Sequence, residues 1–176
     1  LANELFSTEG LVIIDGDDRN LKTIFAPHIK DELIHQNSFK EVSKTIHQLK
    51  DYTVQVNPRE INLFYIEDNL RERIVFEDNI YKVNHTKIQF SESEILEALH
   101  NSPEKFSPNV ILRPLYQEVI LPNLAYIGGG GEIAYWLELK SNFENQKDTF
   151  AILMLRNSIV VAKEKQLEKK EKHQIK

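Results

Sequence analysis

The sequence predicts an α/β fold: helices alternate with strands covered on both faces, and one antiparallel meander is set into the alternation. Three observations predict it. Short apolar runs at residues 11–14 (LVII), 123–127 (NLAYI) and 149–155 (TFAILML) have the length and content of buried strands. Stretches with a 3.6-residue apolar period separate them. Residues 53–90 instead carry short β-prone runs broken by Asp-Asn turns, a pattern of consecutive hairpins.

In chain order, residues 11–14 follow Gly10 and lead into Asp15-Gly16-Asp17-Asp18. Open α/β sheets place ligands at that carboxyl end. Carboxylates there hold a metal, a hydroxyl or an amine, or they cap the next helix; capping is expected of at least one of the three. Residues 19–35 read as a helix through Leu21, Ile24, Phe25, Ile29 and Leu33, broken or kinked at Pro27. Residues 38–51 read as a second helix with Phe39, Val42, Ile46 and Leu49 on one face. His28, His35 and His47 lack metal-ligand spacing and read as packed or solvated side chains.

From Thr53 the period becomes two. Residues 53–56 alternate before Pro58 breaks the run, and runs at 61–66, 73–76, 80–83 and 87–90 predict three or four antiparallel strands, with turns at Asp68-Asn69 and Asp78-Asn79. Arg71 and Arg73 read as solvated hairpin positions. Ser91-Glu92-Ser93-Glu94 is a capping box opening a helix that runs to about His100. Pro114 either starts the next helix in its first turn or kinks one begun after Ser107. Either way Arg113 and Gln117 share a side, with Glu118 nearby, while Leu112, Leu115 and Val119 face the core. A guanidinium fork suits a carboxylate or phosphate. The alternative is a surface contact of Arg113 with Glu118 or Gln117.

The chain is organised around the next stretch: strand 123–127, then Gly128, Gly129, Gly130 and Gly131, then a helix opening near Glu132. Glycines permit positive φ and a close approach by a ligand, and the first amides of a helix have no internal partner. Together they make a candidate anion site. The alternative is a tight strand-to-helix turn that binds nothing. Neither GxGxxG nor the Walker A spacing is met. Ile133, Trp136 and Leu137 form one apolar stripe of this helix; Tyr135, Leu139 and Phe143 form another. Glu132 suits the first turn electrostatically, or holds a substrate amine. Arg156-Asn157 stands at the carboxyl end of the last strand, and from Lys163 the run KEKQLEKKEKHQ reads as the start of a helical hairpin or coiled coil.

Composition narrows the function. A net charge of −5 with no aromatic-interleaved basic patch argues against nucleic acid. No apolar run nears the roughly 20 residues of a membrane span, and no secretory leader is visible. The absence of cysteine excludes disulfides and a thiol nucleophile within these 176 residues and fits a cytoplasmic setting. No metal-binding motif is present. The chain opens Leu1-Ala2 and closes in a charged run without a stop signal, which leads us to expect a piece of something longer.

SPNVILRP (residues 107–114), Gln117, LPNLAYIGGGGEIAYW (121–136) and Leu153 to Arg156 with Asn157-Ser158 resemble the cysteine-adding enzymes of bacillithiol biosynthesis, the BshC family. EGLVIIDGDD (9–18) and PHIKDEL (27–33) extend the resemblance over nearly the whole chain. Where family members often show Gly-Gly-Pro-Gly, this chain has four glycines.

The resemblance implies part of a Rossmann-like core, built from residues 1–52 and 91–162. It implies an antiparallel insertion at 53–90 and, at 163–176, the start of a C-terminal coiled coil that forms a homodimer. It also implies a ligase that adds L-cysteine to glucosaminyl malate, with ATP or ADP as the activating nucleotide. Candidate substrate- or nucleotide-binding residues are Asp15, Asp17, Asp18, Asn109, Arg113, Gln117, Gly128, Gly129, Gly130, Gly131, Glu132, Tyr135 and Arg156; the catalytic residue is not identified. Two further readings stay open: a non-catalytic nucleotide- or metabolite-binding module, and a self-association module built on the C-terminal helix.

Overall fold

The computed structural model describes residues 1–159 together with Lys163 and Lys165. The expected coiled coil falls on the stretch from 163 on and so lies almost wholly outside the described residues.

A short exposed helix, α1 (Ala2–Phe6), and a 3-10 turn end at Gly10, whose φ of 76° needs a residue without a Cβ. Residues 11–14 then run as irregular chain rather than a covered strand. Val12 and Ile13 are 68% and 59% exposed, because no neighbouring strand or helix lies over them among the described residues.

Helix α2 (Arg19–His35) buries Lys22, Phe25, Ile29, Glu32 and Leu33, so its core stripe carries two charged residues, while Ile24 is exposed. Asp18 caps it, accepting from the amides of Asn20 and Leu21. The expected break at Pro27 does not occur. Pro27 sits on the solvent face, where the carbonyl it leaves unpaired can be hydrated, and buried Phe25 and Ile29 on either side keep the helix continuous through it. Helix α3 (Asn37–Gln48) buries Val42 and packs Ile46 against the core, as the expected stripe has it, but adds Ser38 and Thr45 and leaves Phe39 42% exposed.

Residues 53–56 alternate like a strand but pair with none. Their amides are taken by a side chain: Gln55 and Val56 donate to the buried Glu138 carboxylate at 2.7 and 3.2 Å. The antiparallel sheet comprises β1 (Leu63–Glu67), β2 (Leu70–Glu77), β3 (Ile80–Val83), β4 (Gln89–Phe90) and β5 (Phe106–Pro108), in the order β4-β3-β2-β1-β5. Asn69, Asp78 and Asn79 take the positive φ that the two tight turns require. Alternation puts Leu63, Tyr65, Ile74, Tyr81, Val83 and Phe106 into the core. On the opposite face the Arg71 guanidinium lies 3.8 Å from the Phe64 ring centre.

Helix α4 (Glu92–Asn101) opens on the expected capping box: Glu94 N–H donates to Ser91 Oγ and Ser91 N–H to Glu94 Oε2. Ser91→Ala is expected to lower stability by about 1 kcal/mol, measured as a urea midpoint shift with unchanged slope.

Helix α5 (Arg113–Ile120) carries Pro114 in its first turn, which settles the two alternatives in favour of a helix starting there, and buries Leu115 and Tyr116. Then β6 (Ala125–Gly128), α6 (Gly130–Glu138), α7 (Lys140–Gln146) and β7 (Ile152–Leu155) form a βαβ unit, with β6 and β7 parallel. Trp136, Leu139, Phe143 and Ala151 fill the space beneath it, with Tyr126 stacked 4.2 Å from Trp136. Burial on both faces, expected for these strands, is not found. Ile127, Ile152, Met154 and Leu155 are at least half exposed, since helices cover one face of this two-stranded sheet and nothing described covers the other. No described helix is long and apolar enough to cross a membrane.

Candidate functional site

The carboxyl ends of β6 and β7 lie side by side. Arg156 N–H donates to Gly128 O at 2.9 Å, which carries the Arg156 side chain across to the glycine corner. A Cβ built on Gly129 would lie 3.4 Å from the Arg156 guanidinium.

None of the four glycines has positive φ, contrary to the freedom the sequence allows them. Their value is space. A Cβ on Gly128 would stand 2.7 Å from Tyr126 Cε1, so the strand end closes tightly there. On Gly130 and Gly131 a Cβ would meet nothing within 4 Å among the described residues. None of them therefore crowds the leading amides of α6.

Glu132 closes the inner side of the corner. Its Oε2 accepts from Gly129 N–H at 2.7 Å, and its Oε1 lies 3.4 Å from the Tyr126 hydroxyl. That amide bond holds its carboxyl below the usual range, helped by the positive charges of Arg156 and Arg113. Burial pushes the Tyr126 phenol up to about 12, with Tyr135 adding to the rise.

Arg113 lines a second recess, and its charge is felt at Glu132 in the corner. A cleft of about 300 Å³ is lined by Val12, Ile14, Gly16, Arg113, Tyr116, Gln117, Ile120, Leu121 and Asn123. Arg113 and Gln117 share its polar wall, as their spacing predicts. Among the described residues neither Arg113 nor Arg156 forms an ion pair within 4 Å, so the alternative of an Arg113–Glu118 contact is not realised. Glu118 is buried instead and accepts from Asn123 N–H and Nδ2 at 2.9 and 3.0 Å, fixing the turn before β6.

None of the three aspartates lines this cleft; Asp17 borders a separate recess with Glu67, Glu104 and Lys105. Asp18 caps α2, Asp15 Oδ1 accepts from Asp17 N–H, and Asp17 pairs with Lys22 at 3.3 Å. Lys22 is fully buried and also donates to Phe106 O at 2.9 Å; burial lowers its pKa against the pull of Asp17. Tyr116 donates to Gly16 O at 3.0 Å, and burial together with the aspartate charges pushes its phenol up to about 12, which keeps it a donor. Asn109 uses both ends of its amide internally, on Asn62 Oδ1 and Ile111 N–H. Reading the sequence for sites passed over Lys22 and Tyr116. The signal for Lys22 was there, since position 22 falls on the Phe25–Ile29 stripe. Among the described residues no cluster of His, Asp and Glu is arranged to hold a metal.

A parallel βαβ unit with a glycine corner and an arginine at its strand ends is the layout of a Rossmann-like domain. The family model of "Bacillithiol biosynthesis BshC, N-terminal Rossmann-like domain" matches residues 1–157, and the chain belongs to the BshC family. A protein of Flavobacterium johnsoniae named "Putative cysteine ligase BshC" is 67% identical over 169 residues, covering 96% of this chain and 32% of its own length. Relatives of the same name from Flavobacterium psychrophilum and Christiangramia forsetii are 66% and 52% identical, over 98% and 99% of this chain. The chain spans about a third of the length of these relatives.

Proposed function

We propose that this chain supplies the anion-holding part of a cysteine ligase that joins L-cysteine to glucosaminyl malate. The observation that carries the reading is two exposed guanidinium groups, Arg113 and Arg156, with no carboxylate within 4 Å among the described residues, beside a helix start whose glycines leave its amides bare. A carboxylate or phosphate fits that corner: two to three N–H donors and two positive charges converge on it. The cleft beyond Arg113 has apolar walls at Val12, Ile14, Ile120 and Leu121 and amide groups at Gln117 and Asn123, suited to the rest of a polar metabolite.

Forming an amide from a carboxylate requires that the carboxylate oxygen be made a leaving group, which a nucleoside triphosphate such as ATP supplies when bound. The Gly130 and Gly131 amides with Arg156 are the residues that would hold its phosphates. Arg113 then neutralises the malate carboxylates.

Arg113→Lys in the complete enzyme tests the reading. A point charge replaces a planar fork, and KM for glucosaminyl malate is expected to rise about tenfold in an assay of cysteine-dependent product formation. Unchanged kinetics would remove Arg113 from the site.

A further inference from the structure

Helix α5 starts without a side-chain cap, since its N-cap residue is Leu112. Pro114 fixes the backbone in the first turn but contributes no N–H. What orders the start is Asn109. Its carbonyl accepts from Arg113 N–H at 2.8 Å, and its Oδ1 accepts from Ile111 N–H at 2.8 Å. One residue thus sets both: its side chain holds the turn, and its main-chain carbonyl takes the first helical amide, which belongs to Arg113.

Asn109 is itself held from the core. Its N–H donates to Asn62 O at 3.0 Å, and its Nδ2 donates to Asn62 Oδ1 at 3.0 Å. Asn62 is fully buried, and its N–H and Nδ2 donate to Glu32 Oε1 at 2.8 and 3.2 Å. Glu32 also takes the Ser38 hydroxyl and amide at 2.7 and 3.2 Å. A continuous polar chain therefore runs from α2, through the first residues of the antiparallel sheet, to the residue that opens onto the cleft. A core of apolar side chains alone would fill this space without fixing a rotation of α5; directional hydrogen bonds fix it.

We propose that Asn109, held by Asn62 and Glu32, is a positioning residue that aims Arg113 at the substrate anion without touching substrate itself. The inference rests on the reading of Arg113 given above. It predicts a coupling that a residue serving the fold alone would not show.

In the complete enzyme, Asn109→Asp keeps the acceptor for Ile111 but sets an oxygen against Asn62 Oδ1. Its KM for glucosaminyl malate is expected to rise about tenfold, with kcat changed by roughly twofold at most. In an Arg113→Ala background the same substitution is expected to change KM by roughly twofold or less, because the group it aims is gone. Asn109→Ser, which shortens the link but keeps an acceptor for the turn, repeats the cycle should circular dichroism show the Asp variant to be unfolded. Equal losses in both backgrounds overturn the proposal while leaving the Arg113 site standing. An Arg113→Ala enzyme with unaltered KM overturns both.

Discussion

Gly131→Ala in the complete enzyme is expected to lower kcat/KM about 100-fold while leaving the melting temperature unchanged or slightly raised. The two effects have opposite signs because they have different causes. Gly131 lies in the first turn of α6 without positive φ, and an added Cβ meets nothing within 4 Å. Alanine is the better helix former by up to about 1 kcal/mol, so the folded chain alone favours it there. What a methyl group obstructs is a guest that reaches the bare amides, and a displacement near 1 Å at a reacting group is enough to cost about two orders of magnitude. Gly128→Ala provides the contrast. Its Cβ would stand 2.7 Å from Tyr126 Cε1 and 3.1 Å from Glu132 Cβ, so about 1–3 kcal/mol of stability is expected to go with the activity. Thermal melts and steady-state kinetics on both variants separate the cases. Full turnover in Gly131→Ala would mean that the corner binds nothing and serves only as a turn.

How much of this was legible in the sequence depended on whether a signal was local. The capping box at Ser91, the Asp-Asn hairpin turns and the helix start at Pro114 are set by neighbouring residues, and each is found where the residues place it. The Arg113–Gln117 pairing followed from helical spacing alone. Burial of residues 11–14 and of both faces of β7 was not local. Apolar composition says that such a strand wants cover, not which segment provides it, and no described residue provides it here. The run at 53–56 failed for a different reason: a carboxylate on a distant helix, Glu138, took the amides that a neighbouring strand would have taken. In the site itself, types were readable and duties were not. Of Asp15, Asp17 and Asp18 at least one was expected to cap, and Asp18 does; the pairing of Asp17 with buried Lys22 depends on the tertiary fold and was not readable. The glycine run announced open space but not that its φ values would stay ordinary.

Glu32→Gln is expected to destabilise the fold by about 2 kcal/mol, and Glu32→Ala by about 3–5 kcal/mol. The carboxylate is 2% exposed and meets only donors: Ser38 Oγ and Asn62 N–H and Nδ2 on Oε1, Ser38 N–H on Oε2. Glutamine retains Oε1 but turns an N–H₂ toward Ser38 N–H, so one bond becomes a clash of donors. Alanine strands all of these donors in the core, where no water replaces the acceptor. The pH dependence separates the two contributions. Burial raises the Glu32 carboxyl above its ordinary value despite the donors around it. The folded state therefore binds more protons than the unfolded one between the ordinary carboxylate range and that raised value, and wild-type stability falls from this group as pH rises through that window. The glutamine variant has no such group, so the difference between it and the wild type is expected to be largest in acid and to shrink toward neutral pH. Denaturant melts at several pH values measure this directly. A gap that widens with pH would mean that the donors win over burial and that the carboxylate is held below its ordinary range. Because the same oxygen holds Asn62, and through it Asn109, loss of Glu32 is also expected to raise KM at denaturant-free conditions where the protein is still folded, linking the stability of the core to the aim of Arg113.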